Sequence, residues 1–82
     1  MQFDNQAVGA VIYKHRKEKD MTQELLSGLA GIARSHLSMI ETGTKQTNFE
    51  TFLRIADSLE IHPSKLVAEI ETETLSRALN SK

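Results

Sequence analysis

Thr22-Gln23-Glu24-Leu25-Leu26-Ser27-Gly28-Leu29-Ala30-Gly31-Ile32-Ala33-Arg34-Ser35-His36-Leu37-Ser38-Met39-Ile40-Glu41-Thr42-Gly43 is the stretch that decides the fold of this chain. Thr22 has the side chain of a helix N-cap, and Glu24 sits in the first turn, where a negative charge favours the helix dipole. Leu25, Leu26 and Leu29 carry that helix to Ala30, and Gly31 supplies the left-handed residue that ends it. Gly28 lies inside the helix at a cost of about 1 kcal/mol relative to Ala. Ile32 follows as an apolar pin. A second short helix is predicted from Arg34 to Thr42, with Leu37 and Ile40 inward and Gly43 as terminator. Helices this short do not persist alone, so the rest of the chain must hold them.

Working outward, Val8, Val11, Ile12 and His15 share one face of a helix before this stretch. Asn5 is expected to cap it and Asp20 to mark its end, with Lys14, Lys17 and Lys19 turned to solvent. After Gly43, the polar run Thr44-Lys45-Gln46-Thr47-Asn48 ends in an N-cap residue. Phe49, Phe52, Leu53, Ala56 and Leu59 then repeat at helical spacing and predict an apolar face on the next helix. Ile61-His62-Pro63 interrupts it, and Pro63 suits the first position of a fifth helix. That helix carries Leu66, Val67 and Ile70 and continues toward Leu75 and Leu79 over residues 63–79. No repeat or low-complexity block divides the chain. The expectation is one all-α domain of five helices across residues 1–82.

The bulk properties narrow the function classes. With 82 residues, 39% hydrophobic and 26% charged, the composition is that of an ordinary globular domain. The absence of cysteine excludes disulfides, thiolate metal sites and a cysteine nucleophile. No apolar run reaches membrane-spanning length, and the first residues lack a signal-peptide pattern, which predicts a cytoplasmic protein with no membrane partner. The net charge is only −1. Residues through Asn48 hold six Lys/Arg against five Asp/Glu, and the remainder four against six. Any polyanion must therefore be met by cations placed locally. His15, His36 and His62 fall on different elements without metal-ligand spacing. Gly28-Leu29-Ala30-Gly31 lacks the Lys-Ser/Thr ending of a phosphate loop. Neither a cofactor nor a catalytic constellation is implied.

Two short helices around a tight glycine turn form a helix-turn-helix unit over residues 22–43. Such a unit lays its second helix in the DNA major groove, with residues near that helix's N-terminus against base edges. Here the sequence resembles the Cro/C1-type, or Xre, helix-turn-helix family, which includes phage repressors and restriction–modification controller proteins. The matching pieces run in order: Gly9 and Arg16; Met21-Thr22-Gln23-Glu24; Ala30-Gly31-Ile32; Ser38-Met39-Ile40-Glu41 and Gly43. They continue through Phe52-Leu53-Arg54-Ile55-Ala56 and Leu59 to Pro63 and Leu66. The resemblance implies a five-helix, lambda-repressor-like fold and a double-stranded DNA partner. It puts Arg34, Ser35, Ser38 and Met39 against bases. Gln23, Thr42, Thr44 and Lys45 would meet phosphates, and His36 either reaches a phosphate or is simply a surface residue. Arg16 and Glu41 would form an ion pair between the first and third helices. Ala33 departs from the usual Ser or Thr cap, His15 stands where Leu is common, and Leu29 replaces a polar residue.

Apolar residues exceed what a small core needs near the C-terminus. That surplus predicts a homodimer interface at Leu66, Val67 and Ile70, with Leu75 and Leu79 as further participants. A sequence-specific transcriptional regulator on an inverted-repeat operator is the first functional expectation. The second is an antitoxin-type interaction module. In it the C-terminal helix, with Glu69, Glu71 and Glu73 beside Ile70, would engage a protein partner.

Overall fold

The computed structural model describes residues 3–80. The outermost positions of the 1–82 domain expectation therefore lie outside the described residues. Five helices follow one another: α1 (Asn5–Glu18), α2 (Gln23–Ala30), α3 (Arg34–Thr42), α4 (Phe49–Ser58) and α5 (Pro63–Asn80). Their ends are set by local chemistry. The Thr22 hydroxyl accepts from Leu25 N at 3.0 Å, and Asn48 Oδ1 accepts from Thr51 N at 2.7 Å. Gly31 and Gly43 close α2 and α3 with φ of 71° and 79°, a region that costs a residue with a Cβ roughly 1–2 kcal/mol.

Two boundaries differ from the sequence expectation. Asp4, not Asn5, caps α1: its Oδ1 accepts from Gln6 N at 2.9 Å, and Asn5 is already helical. α1 stops at Glu18 because the chain needs a left-handed residue to turn toward Met21, and Asp20 takes that conformation at φ 55°.

The helices enclose two adjoining apolar clusters. Ile12, Leu26, Ala30, Leu37, Ile40, Ile55 and Leu59 form the one behind the α2–α3 pair. Val11, Phe52, Ala56, Leu66 and Ile70 form the other, between α1, α4 and α5. Val8 and Ile61 touch both clusters. Each fully buried Leu or Ile contributes about 1.5–3 kcal/mol, so the fold is held mainly by side chains outside the short α2 and α3. α1 presses directly on α3 at Gly9, where a Cβ would overlap the carbonyl oxygens of Ile40 and Glu41.

The face of α4 is also corrected. Phe49 is 74% exposed and Leu53 36%, whereas Ile55 and Thr51 are buried. Phe49 occupies the first helical position, before the periodic face engages the core. Leu66 and Ile70 are fully enclosed at 0% and 2% exposure. They close the chain's own second cluster and offer no surface to a second copy. Only Val67 of the three expected interface residues reaches the surface, half-buried. The part of α5 left uncovered is Leu75 and Leu79.

Candidate nucleic-acid interface

α3 is amphipathic in a way that separates support from display. Leu37 and Ile40 are buried, while Arg34, Ser35, Met39 and Thr42 are exposed. His36 and Ser38 are half-buried at the edges of that outer face. The exposed set falls at helical spacing, so one continuous strip of the helix faces solvent. Ala33 gives α3 no side-chain cap, and its first-turn amides therefore lack a side-chain acceptor of that kind. Beside Arg34, a recess of about 600 Å³ opens onto the start of α2, lined by Arg16, Lys17, Thr22, Gln23 and Glu24 among others. Cationic groups and the positive end of a helix converge there, the arrangement that attracts a phosphate.

A polar junction fixes the three helices that make this surface. Arg16 Nε donates to Glu41 Oε2 at 2.7 Å and Nη2 to Glu41 Oε1 at 3.0 Å, with the two side chains 8% and 3% exposed. Arg16 Nη1 donates to the Met21 carbonyl at 2.8 Å, just before α2. Gln23 Nε2 donates to Glu41 Oε1 at 3.0 Å. The hydrogen bond to Glu41, aided by its charge and by Tyr13, outweighs desolvation and holds the Arg16 guanidinium further above its ordinary value. The Tyr13 ring lies 5.2 Å from the guanidinium carbon. α1, the turn before α2, the start of α2 and the end of α3 thus meet at one buried carboxylate. Sequence reasoning named Arg16 and Glu41 but missed the bonds from Gln23 and to Met21 O. The spacing of a backbone carbonyl and an amide across a turn leaves no pattern in the sequence.

The remaining positions divide by what their donors already do. Gln23 spends one amide hydrogen on Glu41, leaving the other and the helix-end N–H groups for a phosphate. Thr42 Oγ1 donates to the Met39 carbonyl at 3.2 Å, so its 2.8 Å contact with Thr44 Oγ1 makes Thr44 the donor of that bond. The backbone N–H groups of Thr44 and Lys45 also turn to Met39 O. The loop after α3 therefore directs its hydroxyl and amide donors inward, and the exposed Lys45 ammonium is its outward charge.

On the opposite side of α1, the acidic residues of α5 are largely committed within the chain. Glu69 receives Lys14 Nζ at 3.2 Å and His15 Nε2 at 2.8 Å, and Glu73 pairs with Arg77 at 2.9 Å. Burial pushes the Glu69 carboxyl up, but the bonds and charges of His15 and Lys14 together hold it below the usual glutamate range. His15 is thus the polar anchor of α5 on α1. Among the described residues no His, Asp or Glu cluster could hold a metal, and no helix is long and apolar enough to cross a membrane.

Comparison with known proteins places this geometry. The helix-turn-helix family model matches residues 12–66. The restriction–modification controller protein C.AhdI from Aeromonas hydrophila is 30% identical, with a TM-score of 0.75 over 77% of this chain and 96% of that one. The controller protein C.Esp1396I is 29% identical, with a TM-score of 0.82 over 93% of this chain and 99% of that one. The same protein has been crystallised as a tetramer in complex with its natural 35-base-pair operator. The clp gene regulator ClgR from Corynebacterium glutamicum shares the fold, at 20% identity and a TM-score of 0.90 over 98% of this chain and 85% of that one. No curated protein sequence matches significantly. With the matched helices, the turn and the displayed face of α3 in agreement, this chain belongs to the Cro/C1-type helix-turn-helix family of DNA-binding transcriptional regulators.

Proposed function

We propose that this protein binds an inverted-repeat operator as a homodimer, each protomer laying α3 in the major groove. The observation that carries the reading is the exposure of Arg34, Ser35 and Met39 on one face of a helix whose other face is locked into the core. Arg34 is the guanine reader, through bidentate contacts worth about 1–3 kcal/mol of discrimination, and Met39 offers apolar contact to a thymine methyl. Ser35 and Ser38 complete the base-facing strip. Gln23 and the start of α2 hold one phosphate, and Lys45 holds another beyond the C-terminal end of α3. The protomer measures 37 × 23 × 23 Å. Two of them side by side bring their recognition helices to the separation of about 34 Å that one turn of DNA requires. The operator complex of C.Esp1396I is an assembly of several protomers on one duplex, and it supports multimeric binding here.

Electrophoretic binding to the DNA upstream of its own gene, against a scrambled duplex, tests this reading. Preference for the upstream DNA, weakened by added salt and lost in Arg34→Ala, is the expected result. Equal binding of wild type and Arg34→Ala to both duplexes, followed by failure to select any motif from a random library, would overturn it. The antitoxin reading has less to support it, because Glu69 and Glu73 on α5 are engaged by Lys14, His15 and Arg77.

A further inference from the structure

With Leu66 and Ile70 enclosed, the surface through which two copies would meet must be found elsewhere. The structure contains one place where a large apolar knob stands at the lip of an apolar hollow. A groove of about 870 Å³ runs between the start of α1, the loop after α3 and α5. Its floor is built from Val8, Phe52, Val67 and Ile70, and Phe3 and Phe49 form part of its wall. Phe49 is 74% exposed and Phe3 44%. Leu53, one turn along α4 from Phe49, continues the apolar surface at 36% exposure.

Exposed phenylalanines are not a product of helix geometry here. The first position of α4 needs no apolar residue, and the Asn48 cap already fixes the helix start. A contiguous exposed apolar patch around a concavity marks a surface that something covers.

We infer that a second copy of this chain covers it, in a two-fold arrangement that seats Phe49 of each protomer in the groove of the other. This rests on the homodimer reading above and assigns its interface. Three observations select a second copy as the occupant. Knob and hollow lie on the same patch of the same chain, which is the condition for an isologous contact, where one surface must fit itself. The rim carries opposite charges, Asp4 and Lys45, so a copy turned about a two-fold axis has both signs available to pair. The groove is also bounded by Gly43, Lys45, Gln46 and Thr47 of the loop that follows the recognition helix. Docking at that boundary therefore sets the distance and angle between two recognition helices directly. An interface on Leu75 and Leu79 would act on them only through the length of α5.

The test uses the full chain and sedimentation equilibrium over a range of protein concentrations, on wild type, Phe49→Asp, Phe49→Ala and Leu79→Asp. Aspartate at the first position of α4 complements the helix dipole, so Phe49→Asp retains the fold, which its thermal melt checks; Phe49→Ala provides the same reading without a new charge. The expected result is a wild-type dimer and a dissociation constant raised at least about tenfold in both Phe49 variants, the scale of losing an aromatic anchor. Leu79→Asp should dimerise like wild type. Dimers that survive both Phe49 substitutions would overturn the assignment, and loss of dimer in Leu79→Asp alone would move the interface to the outer stripe of α5. A wild type that stays monomeric at every concentration, and binds an inverted repeat no better than an isolated half-site, would instead overturn the homodimer reading and the self-docking with it.

Discussion

Replacing Arg16 by alanine is predicted to remove most of the stability of this protein without touching its DNA-facing surface. The native side chain donates to Glu41 Oε2 at 2.7 Å, to Glu41 Oε1 at 3.0 Å and to Met21 O at 2.8 Å. Truncation leaves a carboxylate whose side chain is 3% exposed with only the Gln23 amide bonded to it. Breaking a buried pair from one side costs about 3–5 kcal/mol, because the remaining charge stays desolvated. A domain of 82 residues has a total stability of about 4–12 kcal/mol at the usual per-residue value. The loss therefore takes a quarter of the stability at least and can take all of it. At roughly 4–8 °C per kcal/mol, the melting temperature should fall by about 12–40 °C.

Circular dichroism melts and urea titrations measure this directly. Arg77→Ala is the control, since the Glu73–Arg77 pair is 39% exposed on both sides and lies at helical i,i+4 spacing. It should change stability by no more than about 0.5 kcal/mol. The double variant Arg16→Met with Glu41→Leu should recover much of the loss, because no buried charge is stranded. If Arg16→Ala melts within a few degrees of Arg77→Ala, the junction behaves as a surface pair and the reasoning fails.

Other perturbations have signs that follow from the same structure. Gly9→Ala should destabilise by at least about 1–3 kcal/mol, because the new Cβ overlaps the α3 carbonyls of Ile40 and Glu41. Gly28→Ala should stabilise by about 0.5–1 kcal/mol, since open space surrounds that position; equal effects of these two substitutions in urea titrations would contradict the helix contact. The Glu69 carboxyl is held below its unfolded value by His15 and Lys14. Its contribution is thus complete above the unfolded glutamate value of about 4.3 and is lost as pH falls through the lower folded value. The stability gap between wild type and Glu69→Gln should narrow across that acid window, and a gap independent of pH would contradict the clamp. Arg34→Ala should leave the melt unchanged, yet weaken operator binding by about 1–3 kcal/mol while affecting a scrambled duplex much less.

Residues whose role is local were legible in the sequence. Thr22, Gly31, Gly43, Asn48 and Pro63 mark helix ends by their own chemistry, and all five elements follow from them and from the apolar spacing. Asp4 and Asn5 are adjacent and equally good caps, so only the tertiary position of α1 chooses between them. The apolar face of α4 was legible as periodicity but not in its exact phase. Phe49 lies at helical spacing from Phe52, yet it precedes the point where α4 meets α5. Leu66 and Ile70 were legible as apolar and not as enclosed, because whether a C-terminal helix closes a core depends on how much space α1 and α4 leave. At the site, the outward face of α3 could be read from Leu37 and Ile40 alone. The inward turn of the Thr42 and Thr44 hydroxyls could not, since their shared acceptor is the backbone of Met39.

The central claim is that α3 reads base sequence twice, once from each protomer of a dimer. Selection from a random duplex library with the purified full-length protein, with Arg34→Ala run in parallel, tests it most directly. The account predicts a two-fold symmetric motif whose half-sites lie about one helical turn apart, with information concentrated at the positions that Arg34→Ala relaxes. Recovery of no motif, or of a single asymmetric site unaffected by Arg34→Ala, would contradict it.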